Sequence, residues 1–121
     1  MFQSTISMLR VADARKSERF YCDCLGFSTT WVYDPGVGLP VFIEVARDAV
    51  AFHLSEHEGD GPAGVQVYVN VQEAHQLHDE LLAAGVDIEE APHDAPWGHV
   101  VFSIKDLDGN TLRFGSPHPN Q

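Results

Sequence analysis

Pro96-Trp97-Gly98-His99-Val100-Val101-Phe102-Ser103-Ile104-Lys105-Asp106-Leu107-Asp108-Gly109-Asn110-Thr111-Leu112-Arg113-Phe114 reads as two strands around a tight turn. Val100, Phe102 and Ile104 alternate with Val101, Ser103 and Lys105, the period-two pattern of a strand with one buried face. Asp108-Gly109-Asn110 tolerates positive φ, so the chain reverses there and returns from Thr111 to Phe114. Most of this stretch is an ordinary core hairpin. Trp97 and Arg113, at its two ends, are the residues a hairpin does not need.

Working back from the hairpin, the same order of elements occurs twice. A strand over 5–11 precedes a helix over 14–25 capped by Asp13, with Ser17, Phe20, Tyr21, Cys24 and Leu25 on one stripe. Strands follow over 27–33, 41–46 and 49–55, with a loop rich in chain breakers at 34–40. Residues 56–63 are charged, contain Gly59, Gly61 and Pro62, and lack periodicity, so they read as a linker. The pattern then restarts with a strand over 65–71 and a helix over 72–84. That helix carries Ala74, Leu77, His78, Leu81 and Leu82 on one stripe. A strand over 86–90, a loop over 91–96 and the opening hairpin complete it.

Val11 matches Val71, Gly26-Phe27 matches Gly85-Val86, and Asp48 matches Asp108, at offsets of 60, 59 and 60 residues. Each half reads strand, helix, strand, strand, strand. One such half leaves a sheet face that it cannot bury alone. The expected fold is therefore α+β: two tandem βαβββ modules whose curved mixed sheets surround a cleft. The 121 residues form one domain on this reading, with module one at 1–57, a linker at 58–63 and module two at 64–121.

Composition narrows the function. Hydrophobic residues make up 44% and charged residues 21% of the chain, ordinary for a globular protein. Seven Lys and Arg against eighteen Asp and Glu give a formal charge of −11, which argues against a nucleic-acid partner. The same charge favours capture of cationic ligands, although acidity also serves solubility alone. No apolar run approaches the ~20 residues that span a bilayer. The first residues lack the basic start and apolar core of a secretion signal, so the expected compartment is the cytosol and no membrane partner is expected. Cys22 and Cys24 have neither disulfide-framework nor zinc-site spacing.

Three stretches carry a family resemblance over nearly the whole chain. They are Leu9-Arg10-Val11-Ala12-Asp13 with Phe20-Tyr21 and Leu25-Gly26-Phe27; Ala83-Ala84-Gly85-Val86; and Lys105-Asp106-Leu107-Asp108-Gly109-Asn110. Together they resemble the vicinal oxygen chelate superfamily, which includes glyoxalase I, extradiol dioxygenases, and fosfomycin- and bleomycin-resistance proteins. Metal-dependent members carry four ligands on the inner face. The resemblance carries those positions onto Ile6, His53, Gln66 and Arg113. Ile6 offers no lone pair and Arg113 is a cation, so the expectation is no metal and no other cofactor.

Pro96-Trp97-Gly98 and Arg47-Asp48-Ala49-Val50 are similar to stretches of the bleomycin-resistance proteins. The resemblance implies a non-catalytic homodimer that sequesters a bulky hydrophobic or cationic glycopeptide-type antibiotic in a cleft between subunits. The alternative is a superfamily enzyme of lyase, isomerase or dioxygenase type with an unknown substrate. A ligand-sensing or accessory domain is a third option. The expected ligand-binding residues are Trp31, Tyr33, Phe42, His53, Tyr68, Trp97 and Arg113. The rings supply stacking faces. Arg113 in the cleft of a cation binder is the discordant residue.

Overall fold

A computed structural model describes residues 1–119. Module one contributes β1 (Ser7–Arg10), α1 (Ala14–Arg19), β2 (Ser28–Tyr33), β3 (Phe42–Arg47) and β4 (Val50–Ser55). Module two contributes β5 (Gln66–Asn70), α2 (Ala74–Ala83), β6 (Glu90–Asp94), β7 (His99–Lys105) and β8 (Thr111–Pro117). Two four-stranded sheets result, ordered β1-β4-β3-β2 and β5-β8-β7-β6. In each, the first and last strands of the module pair in parallel and the remaining pairs are antiparallel. This is the α+β pair of similar modules that the sequence implies. No helix among the described residues is long and apolar enough to cross a membrane.

The repeat extends to individual hydrogen bonds. Val11 N–H donates to Ser55 O and Val71 N–H to Gly115 O, both at 2.9 Å. Asp13 and Glu73 cap α1 and α2 by accepting from Lys16 N and Gln76 N. The Ala14 N–H is taken by Glu56 Oε2 and the Ala74 N–H by Ser116 Oγ, each at 2.8 Å. Each module thus ties its helix start to the end of its last strand, through Glu56 just past β4 and Ser116 near the end of β8. Glu56 also accepts from Val41 N at 2.9 Å, and Asp60 accepts from the Ser55 hydroxyl. The start of the stretch read as a charged linker is therefore built into module one.

The helix-side faces of both sheets share one core. Leu9, Ile43, Val45, Phe52 and Leu54 line it from the first sheet, and Phe102, Ile104, Leu112 and Phe114 from the second. After Arg19 the helix widens into a π-helical turn, Phe20–Cys24. This turn carries Tyr21 into the centre, edge-on to Phe20, Phe27 and Phe52. The Tyr21 hydroxyl donates to Asp106 Oδ2 at 2.8 Å, across the module boundary. Burial, followed by the Asp106 charge, pushes the Tyr21 hydroxyl well above its ordinary range.

The opening hairpin forms the joint between modules. Asp106 also accepts from the backbone of Asp108 and Asn110. The Asn110 amide donates to Arg10 O and accepts from Gly64 N and Val65 N. Asp108 accepts from Ala12 N at 2.8 Å. The corresponding turn of module one reaches the other way: Asp48 takes φ 52°, and Arg47 forms a two-pronged ion pair with Glu80 of α2. That pairing raises the affinity of Arg47 for its proton and lowers that of Glu80.

Three local expectations change. β7 is buried on both faces rather than one, because Val101 and Ser103 are covered as fully as Val100 and Phe102. The strand expected over 86–90 lies instead at Glu90–Asp94. Val86 and Ile88 alternate because they plug the core beneath α2, and Pro92 is tolerated because β6 is an edge strand. Leu82, assigned to the buried stripe of α2, is exposed, since the core side of that helix is completed by Leu81 and His78.

Candidate functional site

Strand alternation sends one set of side chains into the shared core and the other onto the open face of each sheet. On the first sheet, register places Met8, His53, Glu44 and Trp31 in one row across β1, β4, β3 and β2. A bulge between Thr29 and Trp31 adds Thr30 to this row's end, and its hydroxyl donates to Glu44. Phe42 and Tyr33 lie opposite each other one step along.

The rings form a cluster. Trp31 stacks on Phe42 with centroids 5.5 Å apart and planes 6° from parallel. His53 stands edge-on to both, 5.4 Å from Trp31 and 4.8 Å from Phe42. His53 Nε2 lies 2.8 Å from Glu44 Oε1. A carboxylate accepts, so Nε2 carries the proton of this bond. The Thr30 hydroxyl first, and His53 second, hold the Glu44 carboxyl below its ordinary range. Beside the cluster runs an apolar groove of about 660 Å³, bounded by Trp31, Tyr33, Leu39, Pro40 and Phe42, with His57 and Asp60 at its lip. Trp31 remains 43% exposed and Tyr33 61%, an unusual amount of open aromatic surface.

On the second sheet the equivalent row is Tyr68, Arg113, Ser103 and Glu90 across β5, β8, β7 and β6. The Tyr68 hydroxyl lies 3.0 Å from His99 Nδ1, and the Trp97 indole N–H points to it at 3.5 Å. The Tyr68 ring lies over the sheet because position 115 is glycine: a Cβ there would clash with the Tyr68 hydroxyl and ring. Trp97, in the turn before β7, is 55% exposed. Arg113 is half-buried, and its Nε is buried without a hydrogen-bond partner among the described residues.

The structure therefore brings together Trp31, Phe42 and His53, with Tyr33 beside them, and separately Tyr68 and Trp97, with Arg113 opposite Tyr68 on the next strand. Among the described residues no hydrogen bond, ion pair or ring contact joins the two groups. Glu44 and His99 escaped sequence reasoning. Alternation from Phe42 puts Glu44 on the open face, yet only the β3–β4 register shows that it meets His53.

The four positions aligned with metal ligands do not fit a metal. Ile6 has no donor atom, Arg113 brings a cation, and the His53 nitrogen Nε2 is engaged by Glu44. Among the described residues no group of three His, Cys, Asp or Glu side chains is placed to hold an ion.

A family model described as glyoxalase superfamily protein matches residues 1–119. The uncharacterized protein YraH of Bacillus subtilis (strain 168) is 29% identical over 118 residues, covering 86% of this chain and 90% of that one. TnmS3, an antibiotic binding protein from Streptomyces sp. CB03234, superimposes with a TM-score of 0.77 at 23% identity, over 97% of both chains. The bleomycin-binding protein of Streptomyces verticillus, solved with copper(II)-bleomycin, superimposes with a TM-score of 0.74 at 23% identity, over 94% of this chain and 95% of that one. At these identities the structural matches speak for the fold alone.

Proposed function

The chain belongs to the glyoxalase superfamily, and we propose that it acts there as a small-molecule-binding protein that sequesters its ligand without altering it. The observation that carries this reading is the open Trp31–Phe42–His53 cluster beside its apolar groove. Stacked rings at a groove mouth recognise a flat, bulky molecule, and the donor set favours no metal chemistry. The solved bleomycin-binding protein and the antibiotic-binding TnmS3 make a bulky hydrophobic or cationic glycopeptide-type antibiotic the first ligand to try.

The reading takes residues 1–121 as one domain, with modules 1–57 and 64–121 joined at 58–63, working in the cytosol as a homodimer. Two open faces in one chain support the dimer. The first sheet presents Trp31 and the second Tyr68 and Trp97, and facing them across two copies closes two clefts. The edge strand β2 is exposed along its whole length, including Val32 and Tyr33, as expected of a surface awaiting cover.

Titration with copper(II)-bleomycin, following tryptophan fluorescence, tests this reading. Saturable quenching at micromolar or lower drug, one drug per chain, weakened in Trp31→Ala and Trp97→Ala, is the expected result. Absence of binding at high micromolar drug removes that antibiotic. Sedimentation of the free protein tests the dimer. The enzyme reading, a lyase, isomerase or dioxygenase of unknown substrate, draws on the His53–Glu44 pair. Stoichiometric metal in protein purified without chelator, lost in His53→Ala, would favour it.

A further inference from the structure

We propose that Arg113 is the anion-recognition point of the ligand site, so that the ligand joins an aromatic plane to a carboxylate, phenolate or similar oxyanion. The inference rests on the small-molecule reading above and narrows its ligand class. It begins from the two equivalent rows. In the first sheet the basic side chain, His53, has a carboxylate on the next strand, Glu44, at 2.8 Å. In the second sheet the same place beside Arg113 is Ser103, with Tyr68 on the other side. Both neighbours are neutral hydroxyl residues. The next residue along the row, Glu90, lies a further strand away and is held by His93 at 3.5 Å.

Among the described residues Arg113 is thus left without a counter-charge, in a chain with eighteen acidic residues. Arg15, Arg47 and Lys105 each have an ion-pair partner. Arg10 donates to the Val11 carbonyl, and Lys16 and Arg19 are exposed on α1. Arg113 alone combines half-burial, no ion pair among the described residues, and a buried Nε without an acceptor. A guanidinium fork held this way matches a planar oxyanion, which can accept two parallel hydrogen bonds. Tyr68, the register partner of Arg113 on the neighbouring strand, supplies the aromatic surface for the rest of the molecule, with Trp97 at the far end of its ring.

Charge makes the test discriminating. A net charge of −11 favours cationic ligands over neutral and anionic ones. Arg113 reverses that order at its own site. The experiment is tryptophan quenching of the intact protein by three matched probes: 2-naphthoate, 2-naphthamide and 2-naphthylmethylammonium. Each is titrated against wild type, Arg113→Gln and Arg113→Lys, with melting curves to verify folding. Naphthoate is expected to bind wild type on the order of tenfold more tightly than the amide. The gap should close in Arg113→Gln, persist in part in Arg113→Lys, and shrink with added salt.

Equal binding of all three probes, or preference for the ammonium compound, overturns the role of Arg113 while leaving an aromatic-binding cleft. Failure of every probe to bind at millimolar concentration overturns both the role and the cleft. Dissociation of a dimer in Arg113→Gln with an unchanged naphthoate-to-amide ratio also overturns it, and assigns the missing counter-charge to a second copy of the chain.

Discussion

Met8–His53–Glu44–Trp31 and Tyr68–Arg113–Ser103–Glu90 occupy the same places in two copies of one module, offset by 60, 60, 59 and 59 residues. Behind them the modules agree, with apolar residues facing the shared core, a carboxylate capping each helix, and a parallel pair of first and last strands. In front they differ. One row satisfies its base internally and surrounds it with rings. The other leaves a cation unpaired among the described residues. Core positions answer to burial, which both modules need equally; open-face positions are free of that demand, so they diverge without disturbing the fold.

The largest expected effect concerns the joint between the modules, where the two turns also differ. Asp106→Ala leaves the Tyr21 hydroxyl and the Asn110 amide without their shared acceptor and should cost about 3 kcal/mol in urea unfolding. Arg47→Ala, at the corresponding turn of module one, removes a partly exposed ion pair and should cost about 1 kcal/mol or less. Equal losses would break the asymmetry. The same joint predicts a pH effect. The proton affinity of Tyr21 is higher in the folded than in the unfolded chain. Its contribution is therefore complete below about pH 10 and is lost as pH rises beyond that. Tyr21→Phe should remove this alkaline fall from melting curves.

Gly115→Ala tests how the second face is built. A Cβ at this position meets the Tyr68 hydroxyl, so the ring must lift from the sheet and release His99. A loss of about 1 kcal/mol is expected, with changed Trp97 emission as the local signature. An unchanged spectrum would mean that Tyr68 does not depend on the glycine. Ser103→Asp sharpens the comparison between rows, because it sets a carboxylate beside Arg113 where module one has Glu44. The naphthoate preference should disappear, and its persistence would detach the preference from the missing counter-charge.

The smallest effect belongs to Glu44. Its carboxyl is held below the ordinary range by Thr30 and His53, so its contribution is present above the ordinary carboxylate range and is lost as pH falls through and below it. Wild type and Glu44→Gln should differ by a few tenths of a kcal/mol at neutral pH and converge in acid. Parallel curves across that window would remove the carboxylate from the account.

Much of this molecule is legible in its residues. Helix stripes ending at Gly26 and Gly85, period-two strands and the offset near 60 are local patterns, each produced by a side chain's need to face an apolar neighbour. They determine two βαβββ modules, while the family resemblance rests on motifs such as Leu25-Gly26-Phe27 and Asp108-Gly109-Asn110. They also mislead where one pattern has two causes. Val86 and Ile88 alternate like a strand while serving as a plug, and Val101 and Ser103 read as a polar-tolerant face while being covered.

What the tertiary structure alone decided is which side chains meet. Register between β3 and β4 turns Glu44 and His53 into a pair. A hairpin turn one module away gives Tyr21 its acceptor, and the absence of a carboxylate beside Arg113 depends on three strands lying in one order. Such contacts join positions far apart in the chain, through hydrogen bonds that no local periodicity encodes. The sequence determined the frame because burial is read one residue at a time. The chemistry of the open faces waited on the structure because it is written in pairs.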